Sequence, residues 1–545
     1  MIKETIAALL LNLAITGRIS ATEVSGDVWG SWAPAGNPYL VVGDLRVPSE
    51  SSLVILPGCR IEFQGHYKLV VDSLALLQAI GTVSDSIAFT NSDTLEGWHG
   101  IRLYWADSAC ALAYCRLEWG RAADLHWPDT LISYGGAVHC VGTALSVQNC
   151  RLQFNRAWEG YGGAIYAIFS RITVRNSVLK HNLAGKGGGA VYAAYSTISI
   201  EGCDVSRDST FYSLGGEHGG GAIGCFYSEA IIRDNLVANN LCGQIGGGIF
   251  LANSPSLVER NIIRQNEAFY FGGGLVGGGA RIILKNNIIS ENWVWATLSS
   301  GGGIACGPGI SLINNTIAGN YSTWYGGGIR YWTNTAPDTF INNIIWGNVA
   351  WQDSQIDLWE NCPSPIMLYN DIQSGWPGVG NIDIDPLFRD TTNGDFHLMS
   401  TLCGDPFDSP AIDAGDPAIL DSLLDCARGL GAARSDMGAF GGGQSNPDAV
   451  EDDYPTMPDD LCLAPAYPNP FNAGTTISFS LPARGEAKLE IFDILGHKVA
   501  TLHRGMLDAG QYRTTWDAAG LPSGVYLARL ASGGQVRTRS MALIK

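Results

Sequence analysis

FYFGGGLVGGGARIILKNNIISEN, residues 269–292, decides how this chain is read. It places three aromatic residues before three glycines, then a β-branched run, then paired asparagines. Glycine loses more backbone freedom on folding than any other residue, about 0.5–1 kcal/mol relative to alanine. A run of glycines therefore points to a linker or to a backbone that needs them. The adjacent rings argue against a disordered linker.

The pattern recurs. YGGAVHC (134–140), YGGAIYA (161–167), GGGAVYA (187–193) and GGGAIGC (219–225) are followed by GGGIFLA (246–252), GGGLVGG (272–278), GGGIACG (301–307) and GGGIRYW (326–332). The aligned glycines are Gly136, Gly163, Gly189, Gly221, Gly247, Gly273, Gly302 and Gly327, separated by 25 to 32 residues. A second block follows each run. Its fifth position is Cys150, Ser177, Cys203, Asn235, Asn261, Asn287, Asn315 or Asn343, 14 residues after the glycine in the first six repeats, then 13 and 16. Cys115 and Asn370 extend that column, making ten coils in register.

A fixed period in this range is the signature of a solenoid. Short Val/Ile/Leu segments between Gly and Asn carry no helical stripe, and the leucine-rich pattern is absent. The reading is all-β: a right-handed parallel β-helix with like positions stacked about 4.8 Å apart. Apolar columns make the interior. Asparagine is expected at a sharp left-handed turn, bridging by its amide to the next coil, with Cys and Ser replacing it where a small residue points inward. Two or three glycines per coil cost about 1–3 kcal/mol. Three or four buried aliphatic side chains return about 5–10 kcal/mol as an upper bound, so a coil is viable only when stacked.

The organisation follows. Residues 1–21 read as a secretory signal, with Lys3, the apolar core Ile6–Ile15 and a small residue at Ala21. Residues 22–110 are irregular capping coils, 111–375 the regular coils, 376–441 a closing segment, 442–462 an acidic linker, and 463–545 a small Ig-like β-sandwich of alternating strands. The formal net charge of −18 disfavours a nucleic-acid partner. No segment after the leader is long and apolar enough to span a bilayer, and a monomer is expected. Of the thirteen cysteines, those in repeat columns read as small buried apolar residues rather than disulfides.

GNIDIDPLFRDTTNGDFHL, SPAIDAGDP and RSDMGAFGG resemble the end segment of secreted bacterial parallel β-helix repeat proteins with a pectate-lyase-like fold. That resemblance implies fold and export but no fixed activity. YPNPFN (467–472), FDILGHKV (492–499), Trp516-Asp517, GVYLARL (524–530) and the final MALIK resemble the C-terminal sorting domain of type IX secretion. Ala473-Gly474 departs from the usual residues after the opening Asn. This resemblance implies the type IX machinery as a partner and an outer-membrane surface or extracellular location.

The variable loops all leave one edge of the helix, because the rest of each coil has nearly fixed length. They carry Trp158, Tyr161, Phe211, Tyr212, Phe269, Tyr270, Phe271, Trp293, Trp295, Trp324, Tyr325 and Trp351. Ring faces repeating at the coil spacing suit a polysaccharide. The alternative use is to pack over the glycines. Catalytic candidates are Lys186, Glu217, His218 and Glu159, with His181, Asp204, Arg207 and Asp208 nearby. They form no legible acid–base pair, and Asp208 in a turn-Asn column reads as structural. Calcium is the one cofactor with candidates, Asp383, Asp385 and Asp390, although turn capping is the simpler use for them. The glycine runs lack the Lys-Ser/Thr of a phosphate loop. The leading expectation is an exported, non-catalytic protein that binds glycan or a surface partner. A polysaccharide lyase or glycoside hydrolase is the alternative, and a surface spacer without ligand the second.

Overall fold

The computed structural model describes residues 21–122, 133–211, 219–333, 338–442, 461–463, 471–481, 485–493, 497–507 and 510–543. The signal-peptide expectation (1–20), most of the linker (443–460) and Tyr212, Glu217 and His218 lie outside them. The chain forms two compact units, divided between Gln444 and Ser445.

The first unit is a right-handed parallel β-helix. Each regular coil contributes a strand after the glycines, such as Val191–Ala194, then Thr197–Glu201, then Asp204–Ser206, and a two-residue strand, Ser209–Thr210. Like strands pair in parallel with the coils on either side, giving four ladders. The first and third lie in one 25-stranded sheet, the second in a 13-stranded sheet and the fourth in a 7-stranded sheet. Register is strict. Val138 pairs with Ile165, Ile165 with Val191, Val191 with Ile223, Ile223 with Ile249 and Ile249 with Leu275. These inward aliphatics are fully buried. Residues 22–110 continue the same ladders. The nine-residue strand Tyr39–Val47 feeds both the third, through Tyr39–Val41, and the first, through Leu45–Val47.

The glycines serve two different needs. Gly272 has φ of +60°, in the left-handed region that glycine enters without a Cβ clash. Gly273 has ordinary backbone, but a Cβ there would lie 2.5 Å from the carbonyl oxygen of Gly302 and the nitrogen of Trp293. Stacked coils approach too closely at that column for any side chain. The second run is also resolved. Gly279, with φ of +80°, occupies the left-handed turn that Phe169, Tyr195, Tyr227 and Asn253 occupy in earlier coils.

The asparagine expectation needs one correction. The left-handed residue is the one before the fifth position: Asn286, Asn314 and Asn342 have φ of +53°, +51° and +56°. Their successors Asn287, Asn315 and Asn343 point inward and bridge coils. Turning and bridging are divided between neighbours, because a side chain facing the core cannot also sit at the outward corner. A second internal asparagine column runs through Asn155, Asn182, Asn240, Asn266, Asn292, Asn320 and Asn348. Its links are uniform: the backbone nitrogen and Nδ2 of Asn266 both donate to Asn292 Oδ1 at 3.0 Å.

The closing segment does two things. Asn381 extends the bridging column beyond Asn370, its Oδ1 accepting from Asn370 N at 2.9 Å. Later residues fold back along the flank of the coils. Asn286 Nδ2 donates to the carbonyl of Ala439 (3.0 Å), Asn314 Nδ2 to that of Asp436 (2.9 Å), and Asn342 Oδ1 accepts from Asp416 N (2.7 Å). The disulfide Cys403–Cys426 lies in this segment. The column cysteines, among them Cys115, Cys150, Cys203, Cys225 and Cys242, are free and buried.

The second unit is an antiparallel sandwich of a three-stranded and a four-stranded sheet. Trp516 is buried between Phe471 and Tyr526, with ring centroids at 5.5 and 5.2 Å. Leu489, Ile491, Leu530, Met541 and Leu543 complete the core.

Candidate functional site

The loop edge splits its aromatic residues into two groups. Each loop begins after a two-residue strand of the fourth ladder, whose second residue (Ala157, Thr210, Ala268, Val294) is buried. The first residue of that strand and those just after it face outward. Hence Trp158, Phe211, Tyr270, Trp293, Trp295 and Trp351 are 41–75% exposed. Phe269 and Trp324 are half-buried. Rings of neighbouring coils touch, Phe269 with Trp295 at 4.6 Å and Trp324 with Trp351 at 6.2 Å between centroids, and Trp158 reaches Phe211 at 5.5 Å across the intervening coil, which has Gly185 at that position.

The end of each loop turns back. Tyr161, Phe271 and Tyr325 pair by isolated bridges with adjacent coils and lie over the outer face of the first ladder. Tyr161 sits 4.3 Å from Tyr192, and Tyr134 sits 4.7 Å from Tyr166. Those ladder residues are buried although they point away from the interior. Tyr161 and Tyr325 are thus largely packing residues, whereas the first group presents ring surface to solvent.

Polar groups accompany the rings at one end. Trp158 walls a recess of about 470 Å³ together with His66, Glu96, Arg121 and Arg156. Glu159 and Lys186 follow at equivalent positions of adjacent coils, and Lys186 Nζ lies 5.5 Å from the Tyr161 ring centroid.

The other catalytic candidates separate. Asp204 is ion-paired with Lys180 at 2.6 Å. His181 stacks on Phe154 at 5.1 Å, and burial, then Arg207 and Lys180, holds its imidazole below the ordinary value. Asp208 is buried inside the helix within the second asparagine column. An outward His181 and an inward Asp208 cannot act on one substrate atom.

Asp383, Asp385 and Asp390 each accept a backbone N–H, from Ser374, Leu387 and Asn393 respectively. Burial, with Asp383 and Asp385 nearby, pushes the Asp371 carboxyl up to about 7. Among the described residues no group of three or more His, Cys, Asp or Glu is arranged to hold a metal ion. No described helix is long and apolar enough to cross a membrane.

Residues 136–306 match the family described as right handed beta helix region, and residues 465–545 match the secretion system C-terminal sorting domain. This is a β-helix protein with a type IX sorting tail. No curated protein and no solved structure matches it. The sorting tail assigns the β-helix protein to export, at the outer-membrane surface or in the extracellular space, and to interaction with the secretion machinery. The exposed edge rings of the β-helix protein were legible in its sequence. The grouping of Arg330, Trp332 and Trp359 was not, because it joins a ladder strand, Ile329–Tyr331, to the next coil.

Proposed function

We propose that this protein is an exported, non-catalytic glycan-binding protein that uses the aromatic edge of its solenoid. The observation that carries the reading is the set of exposed rings Trp158, Phe211, Tyr270, Trp293, Trp295 and Trp351, carried on five loops of one edge. Exposing this much aromatic surface forgoes burial worth about 1.5–3 kcal/mol per large side chain. The core does not require it, since the turned-back rings already cover the ladder face. Pyranose C–H faces stack on such rings, and stacking of the coils sets them at multiples of one spacing. The Glu96, Arg121 and Arg156 side chains beside Trp158 supply the hydrogen-bonding partners that hydroxyl groups need.

The test is affinity electrophoresis of the purified protein through gels containing neutral and acidic polysaccharides. Retardation by at least one polymer is expected. A W293A/W295A variant should lose most of it, about tenfold in affinity, with an unchanged melting curve because both rings are half exposed. Equal retardation of variant and wild type, or none for either, sinks the reading. Release of unsaturated or reducing ends from a retained polymer would replace it with a lyase or hydrolase.

A further inference from the structure

A separate cleft lies on the outer face of the first ladder. The outer column of that ladder runs Phe250, Val276, Ala305 and Arg330 in successive coils. The residues lying over it are Ile245, Phe271, Ser300 and Tyr325. The cleft has a volume of about 390 Å³ and is lined by Ile245, Phe271, Val276, Arg330, Trp332 and Trp359. That size falls in the range of small-ligand sites, about 300–1,000 Å³.

One polar group enters it. Arg330 is only 8% exposed. Its guanidinium lies 5.0 Å from the Tyr325 ring and 4.7 Å from the Trp359 ring, and it is ion-paired with Asp357 of the next coil, itself buried. Its Nε has no hydrogen-bond partner among the described residues. A buried donor without an acceptor costs about 1–3 kcal/mol. That cost is removed by a ligand that brings the acceptor.

We infer that this cleft binds a small, neutral, planar aromatic molecule bearing a carbonyl acceptor. Three observations select that class. Apolar and aromatic walls favour a flat apolar body. They offer hydroxyl groups almost no partners, which disfavours a sugar, since each unpaired hydroxyl carries a desolvation penalty. Asp357 already balances the Arg330 charge, so the site offers one N–H donor rather than net positive charge, and a carboxylate there would face Asp357.

The test uses the full chain and the aryl ketone 6-propionyl-2-dimethylaminonaphthalene, whose emission shifts to the blue in an apolar site. Saturable one-to-one binding with a blue shift is expected, displaced by 2-acetonaphthone. Naphthalene and naphthalene-2-carboxylate should compete at least about tenfold less well. Val276→Trp fills the cleft and should abolish the shift. Trp359→Ala removes a half-exposed wall with little risk to folding and should weaken binding about tenfold with an unchanged melting curve. The assignment is overturned by absence of a saturable shift, by retention of wild-type affinity in Trp359→Ala, by equal competition from the carboxylate, or by displacement with oligosaccharides. Polysaccharide retardation is read on other residues, so either proposal can fail alone.

Discussion

The internal asparagine columns show how single residues decide whether the solenoid closes. Asn292 Oδ1 receives two donors from Asn266, while its own nitrogen and Nδ2 donate to Asn320 Oδ1 and its Nδ2 also reaches the Ile263 carbonyl. Every polar group in the buried corner is paired, as an interior requires. Asp208 breaks this chemistry. Its Oδ1 accepts from Asn182 as an asparagine would, but its Oδ2 stands where neighbours carry a donating Nδ2, and it has no partner among the described residues. Burial raises its pKa well above the usual carboxylate value. The folded state therefore holds the proton more tightly than the unfolded chain. Stability from this site is complete below the unfolded pKa near 3.8 and declines as pH rises toward the raised folded value. Asp208→Asn restores the donor. It should raise the melting temperature at pH 8 by at least about 2 °C and leave it nearly unchanged at pH 4, measured by circular dichroism at both values. An equal shift at both would show that the effect is not ionisation.

At the scale of elements, the closing segment is held by the left-handed corner residues of three coils. Asn286, Asn314 and Asn342 are the first members of three Asn-Asn pairs, and they are the corners that bond to residues 416–441. Earlier corners at this turn are filled by Asn149, Asn176, Gly202, Asp234 and Arg260. The doubled asparagine thus marks three coils whose corners hydrogen-bond to the flanking segment. Replacing all three first asparagines by glycine keeps the turn conformation and removes the bonds. Limited proteolysis should then cut within residues 416–441 at least about fivefold faster, while far-ultraviolet circular dichroism of the coils is unchanged. The coils themselves were readable because the stacking repeats one environment at each position. The flank contact was not, because it joins residues 74 to 155 positions apart and leaves no period. For the same reason the aromatic edge was foreseen as one stripe, yet the structure divides it into exposed rings and rings folded over Tyr166, Tyr192, Phe250 and Val276.

At the scale of the whole molecule, two units answer two requirements. The solenoid supplies a long edge with repeating ring positions. The sandwich is built around the motif residues that mark it as a sorting tail, Phe471, Trp516, Tyr526 and Met541, all buried. Those residues are needed for the tail to fold before any recognition of it. Trp516→Ala should cost about 3–5 kcal/mol of tail stability. In a host with type IX secretion, the protein should then lose surface exposure, scored by protease shaving of intact cells, while the isolated solenoid signal in circular dichroism persists. Normal surface exposure of that variant would uncouple sorting from the folded tail. The coil period, its inward aliphatic columns, the export tail and the aromatic edge were determined by sequence alone, since each rests on local spacing or a short motif. The direction each edge ring takes, the Arg330 donor in a cleft walled by Trp332 and Trp359, and the division of turning from bridging between paired asparagines were decided by tertiary structure. Each depends on what the neighbouring coil places opposite, and stacking, not chain order, sets that neighbour.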